Sequence, residues 1–203
     1  MATLSVSNSD IKVANAALNE LGINPITSFT DGNKTARTIN ASFADVVEEA
    51  LALYPWRFAR STRVIQRLNK TPPPEWEGVF GMPTEALALQ KVWVDDGEAK
   101  FDTNADGILV NVGASSSAVV KADITIYMTA DKWPGFFRRG FIFHLAAALA
   151  MPLTQDENLA VAMEQKAMGR LALAKSRESQ ARTASRIDTK TFIRQRRTGG
   201  RSR

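Results

Sequence analysis

The chain contains a single imidazole, His144, and no cysteine. A disulfide scaffold, a thiolate metal site and a cysteine nucleophile are excluded together. His144 lies in the apolar run "GFIFHLAAALAMPLT" with no acidic residue close by in sequence to orient it. That setting is one of a structural histidine, hydrogen-bonded in a core or an interface, rather than a general base. Carboxylates occur in four close sets: Glu48 with Glu49, Glu75 with Glu77, Asp95 with Asp96, and Asp156 with Glu157. Two such sets converging in space would supply the acid and base of a glycoside hydrolase, for instance one acting on cell walls. Three of the four have plainer roles. Asp95-Asp96-Gly97 is a turn, Asp156-Glu157 complements a helix N-terminus, and Glu48-Glu49 is a solvated helix face. Neither common glycine loop for phosphates is present. The expectation is therefore a protein that is not an enzyme, with no cofactor, no metal and no catalytic residue to nominate.

Binding chemistry is more prominent. "YPWRFARSTR" puts Trp56 and Phe58 beside Arg57, and "WPGFFRRG" puts Trp133, Phe136 and Phe137 beside Arg138 and Arg139. Aromatic rings with arginine are the composition of interface hot spots, because both combine large contact area with directed hydrogen bonds. These eight residues are the candidate subunit or partner interface. The competing reading for Trp56 and Trp133 is that they fill the junction between helices and sheet. Residues 164–203 carry 12 Lys+Arg against 3 Asp+Glu, a formal +9, whereas residues 1–163 carry 14 against 18, a formal −4. The body is slightly acidic and its C-terminal end is a cationic arm, "RIDTKTFIRQRRTGGRSR". Such an arm suits nucleic acid phosphates or an acidic protein groove. Phe192 and Ile193 are unnecessary for phosphate binding. They point to a protein partner, as anchors flanked by Arg194, Arg196 and Arg197.

Periodicity supplies the elements that must position these groups. Ser7 to Gly22 reads as a helix, with Ser7 and Asp10 in capping-box spacing and Gly22 as its stop. A second helix runs from about Lys34 to Tyr54, with Ile39, Phe43, Val46, Val47, Ala50 and Leu53 on its buried face. The middle of the chain changes to period two. "RFARSTRVIQRL", "LALQKVWV" and "VVKADITIYM" read as strands of a short antiparallel meander, with Asp-Gly turns between. The segment "NKTPPPEWEGVFGMP" reads as a stiff surface connection. Phe136 to Met151 is a helix apolar nearly all round and ended by Pro152. Thr154 and Glu157 then cap a last helix striped by Leu159, Met163, Ala167, Leu171 and Ala174. The fold class expected is α+β: a four-helix core from N- and C-terminal helix hairpins, an inserted small antiparallel sheet, and an extended arm. The domains are 1–56 with 132–181 for the helical core, 57–131 for the β-meander, and 182–203 for the arm.

"MATLSVSNSD" has neither the basic nor the apolar region of a secretory signal, so no export is expected. The longest apolar run, Phe141 to Leu153, contains His144 and Pro152 and falls short of the roughly 20 residues that span a bilayer, so no membrane partner is expected.

The order of these features resembles the phage head-to-tail adaptors of the tail tubular protein A type. In that family a helix ends in Leu-Gly plus proline, a loop with Asp and Gly follows, and a second helix closes on Trp-x-Phe. Here those are Leu21-Gly22, Pro25, Asp31-Gly32 and Trp56-Arg57-Phe58. "TPPPEW", a "VW" strand, "ITIYMTADKWPGFFRRGFIFHLAAALAMPLTQDE" and an alanine-rich final helix extend the likeness over most of the chain. The resemblance implies a structural virion protein of the neck, assembled in the host bacterial cytoplasm. It implies a homo-oligomeric ring of about twelve subunits, a dodecamer, between the portal protein and the tail tube or nozzle protein. Double-stranded DNA would pass through the channel, and the C-terminal segment would grip the portal. The alternative is a nucleic-acid-binding protein acting through the basic arm.

Overall fold

The computed structural model describes residues 7–180, and the arm residues named above lie outside them. Four helices, α1 (Asn8–Glu20), α2 (Lys34–Ala52), α3 (Gly135–Thr154) and α4 (Glu157–Gln180), enclose seven strands in sequence, an α+β arrangement. In α1 the Ser7 side chain accepts the Asp10 N–H while Asp10 reaches back to the Ser7 backbone. At its other end Gly22 takes φ 71°, and Ile23 N–H returns to the Leu18 carbonyl, the closing bond of a glycine-ended helix. α3 is the hub. α1, α2 and α4 all pack on it, so the first two helices meet through α3 rather than as a tight hairpin. One apolar core runs through all four, from Ala14 and Leu18 through Ile39 and Val47 to Phe141, Leu145, Leu149 and Met163.

Several local expectations are corrected. Leu53 is 45% exposed and Leu51 takes its place in the core, because α2 ends at Ala52 and the chain turns away. Pro152 does not end α3. It lies in the last turn, and the helix stops at Gln155, which takes φ 56°. The α4 cap is Asp156, whose carboxylate accepts the Leu159 N–H, while the Thr154 hydroxyl bonds back to the Ala150 carbonyl. α3 itself is 20 residues, long and apolar enough by length and composition to cross a membrane, but Phe137, Phe141, Leu145 and Leu149 are spent on the four-helix core.

The strands form two antiparallel sheets instead of one meander. β1 (Arg60–Val64), β7 (Val120–Ile126), β3 (Ala86–Val94) and β4 (Gly97–Ala99) make the first, in that spatial order. β2 (Gly78–Phe80), β6 (Gly107–Val110) and β5 (Phe101–Asn104) make the second. β2 comes from the segment expected to be only a surface connection, and all three of its residues are buried. The β7 alternation holds on one face, where Val120, Ala122 and Ile124 join Ile65, Phe80, Val92 and Ile108 in a second core. On its other face Asp123 accepts from Thr62 Oγ1 and Trp93 Nε1, and Gln90 donates to the Thr125 hydroxyl. A central strand buries polar groups only when they find such partners.

Candidate contact surfaces

The two aromatic–arginine segments meet in space, and they meet mostly inside the molecule. Trp56 and Phe137 are fully buried and Trp133 is 3% exposed. Phe137 is the centre, with ring centroids 4.9 Å from Trp56, 4.9 Å from Phe58 and 5.2 Å from Trp133. Edge-to-face contacts of this kind add to the burial of the rings themselves. Both indole N–H groups are satisfied locally, Trp56 to the Ala50 carbonyl at 3.0 Å and Trp133 to the Met128 carbonyl at 2.8 Å. The placing of Trp56, Trp133 and Phe137 on a contact surface is therefore corrected. They weld the end of α2 and the start of α3 together, as the competing reading had it, while Phe58 and Phe136 are only half-buried.

The arginines split in the same way. Arg57 binds the buried Glu178 of α4 through its Nε at 3.1 Å, and its backbone N–H reaches the same oxygen at 2.8 Å. Arg138 donates to the carbonyls of Ala130 and Trp133, fixing the loop before α3. Arg139 is 53% exposed, pairs with Glu20 at 3.4 Å and lies over the Phe143 ring. The sequence does not single out Asp10 for the role it plays. That carboxylate is 1% exposed and, besides capping α1, accepts the Ala130 N–H, so one side chain ties the first helix to the entry of the third.

Two grooves flank α4. One, of about 190 Å³, is lined by Phe136, Arg139, Arg170, Leu173 and Arg177. The other, of about 340 Å³, lies toward α2 and is lined by Glu49, Leu53, His144, Glu164, Met168 and Lys175, among others. Here the fold gives His144 an acid that its sequence neighbourhood lacks: Glu49 Oε2 is 3.5 Å from Nε2, which has no hydrogen bond among the described residues. The half-buried imidazole thus sits at a groove wall. Of the four carboxylate sets, Glu48 and Glu49 lie exposed on α2, Asp95 holds its turn by accepting the Val119 N–H, and Asp156 is a cap. Among the described residues no three His, Cys, Asp or Glu come together to hold a metal ion.

The architecture defines an α+β protein with a helical core, an inserted pair of small sheets, and two grooves beside its last helix, one lined by arginines and one by Glu49, Glu164 and Lys175. No family model matches the chain, and no curated protein matches it either.

Proposed function

We propose that this protein is a structural component of a phage neck, a head-to-tail adaptor that assembles as a ring between the portal and the tail. One observation carries the reading. Several residues on which the resemblance rests help fix the fold: Gly22 closes α1, Trp56 and Trp133 form the aromatic weld, and Asp31 holds its loop by accepting from Thr27 and Ser28. A likeness carried by such positions is a likeness of architecture. The work it supports is mechanical: a ring caps the filled head, retains the DNA and offers the tail a symmetric platform. Many modest contacts formed at once make such an assembly effectively irreversible. The cationic residues 182–203 are assigned to the portal, with Phe192 and Ile193 as anchors. The formal +9 of residues 164–203 favours a second reading, binding of duplex DNA through the same segment. Electron microscopy of the portal ring of its own particle, mixed with this protein, separates them. A second ring stacked on the portal supports the adaptor; bare portals, with retention on DNA that falls steeply with salt, support the alternative.

A further inference from the structure

α4 exposes two different faces. Its buried residues, Met163, Ala167, Leu171, Ala174 and Glu178, define one direction. Lys166, Arg170, Leu173 and Arg177, spaced by four, three and four residues, form a stripe about a quarter-turn to one side. Leu173 is 59% exposed within it, and among the described residues no carboxylate pairs with Lys166, Arg170 or Arg177. The opposite flank of α4 borders α2. There Asp45, Glu49 and Leu53, each four residues apart, are exposed along α2, with Glu48 beside them. No lysine or arginine among the described residues pairs with any of these acids. One side of the molecule thus presents an apolar side chain among cations, and the other an apolar side chain that follows two acids along α2.

We infer that these two stripes are the two halves of one contact between copies of this chain, the α4 stripe of one copy lying along the α2 stripe of the next. This rests on the ring reading above for its symmetry, and on the surfaces themselves for its location. The spacings match. Lys166 to Arg170 and Asp45 to Glu49 are each about 6 Å along a helix, and Leu173 and Leu53 follow at about 10 and 12 Å from the first member of each stripe. The register is therefore Lys166 on Asp45, Arg170 on Glu49 and Leu173 on Leu53. Direction agrees as well. Leu53 shares a groove with Met168 and Lys175, and the Tyr54 hydroxyl bonds that of Ser179, so α2 and α4 run the same way within a copy. Met168 and Lys175, which share that groove with Leu53, bracket Leu173 along α4, and a rotation about an axis along the helices moves no residue along that axis. Two unlike surfaces on opposite flanks make a heterologous contact, the kind that closes into rings or runs into filaments. Opposite charges set its register and leucine supplies the desolvated centre.

The chain has no cysteine, which makes the test direct. The full-length Leu53→Cys, Leu173→Cys double variant is oxidised at its highest soluble concentration, and solution mass is measured in parallel on the unsubstituted chain. The expected result is a disulfide ladder ending at one closed species. It should weaken as salt rises, vanish in Arg170→Glu, and return when Glu49→Arg is added. A Val119→Cys, Leu173→Cys pair, also at exposed positions, should give no ladder. Assembly without a Leu53–Leu173 ladder overturns this contact and leaves the ring reading standing. A ladder that never closes keeps the contact and overturns the ring. A chain that stays monomeric without the bond overturns the contact. So does loss of duplex DNA retention in Arg170→Glu without any cross-link, which would give the cationic stripe to phosphates.

Discussion

Two residues carry most of the local argument. Trp56 is fully buried at the junction where α2, α3 and the first sheet meet, and its N–H is committed to Ala50. Trp56→Ala is expected to lower stability by about 3–5 kcal/mol, the usual range for removing a buried aromatic, while Trp56→Phe should cost less because most of the ring contacts survive. Urea unfolding followed by far-UV circular dichroism measures both. Tyr127 packs against the helical core, and its phenol is pushed up to about 12 by burial first, then by the negative charges of Asp10 and Glu48. A group whose pKa is raised on folding contributes its full stability below its ordinary value of 10.0 and loses it as pH rises through about 12. The urea midpoint should therefore fall between neutral pH and about pH 11, and fall less in Tyr127→Phe. An equal fall in both proteins would contradict the assignment.

At the scale of elements, the helices and strands were readable because their signals are local. Ser7 with Asp10 caps a helix wherever it is placed, and the spacing of Met163, Ala167, Leu171 and Ala174 predicts one buried face. What depended on distant partners was not readable. β2 is a strand only because β6 and the Arg67–Phe80 bridge meet it, and three prolines just before it mask the pattern. The aromatic–arginine segments have interface composition, yet Trp56, Trp133 and Phe137 face inward because α2 and α3 converge there, 77 residues apart for the two tryptophans. The contact surfaces now argued for, on α2 and α4, carry unremarkable residue types and emerge only when burial is known. The contact between α3 and α4 yields a further prediction. A Cβ on Gly140 would lie 2.8 Å from Leu171 Cδ2, so α3 and α4 meet at a position with no room for a branched side chain. Gly140→Val should cost about 1–3 kcal/mol by forcing the two helices apart. Thermal unfolding reads that loss, and Gly169→Ala, where open space surrounds the glycine, should not show it.

At the scale of the whole molecule, two cores and the surface around the last helix are the features that matter for assembly. The helical core is welded by aromatics, the sheets have their own core, and the proposed contact surfaces carry charge and leucine on α2 and α4. The proposed neck role is tested by what the chain assembles with. The most direct measurement is the solution mass of the full-length chain and of a form ending at Ala181, each alone and with the portal ring of its particle. The account predicts that portals capture a fixed number of full-length copies and none of the shortened form. Full-length chain that remains unbound, at the same mass with and without portals, would contradict it.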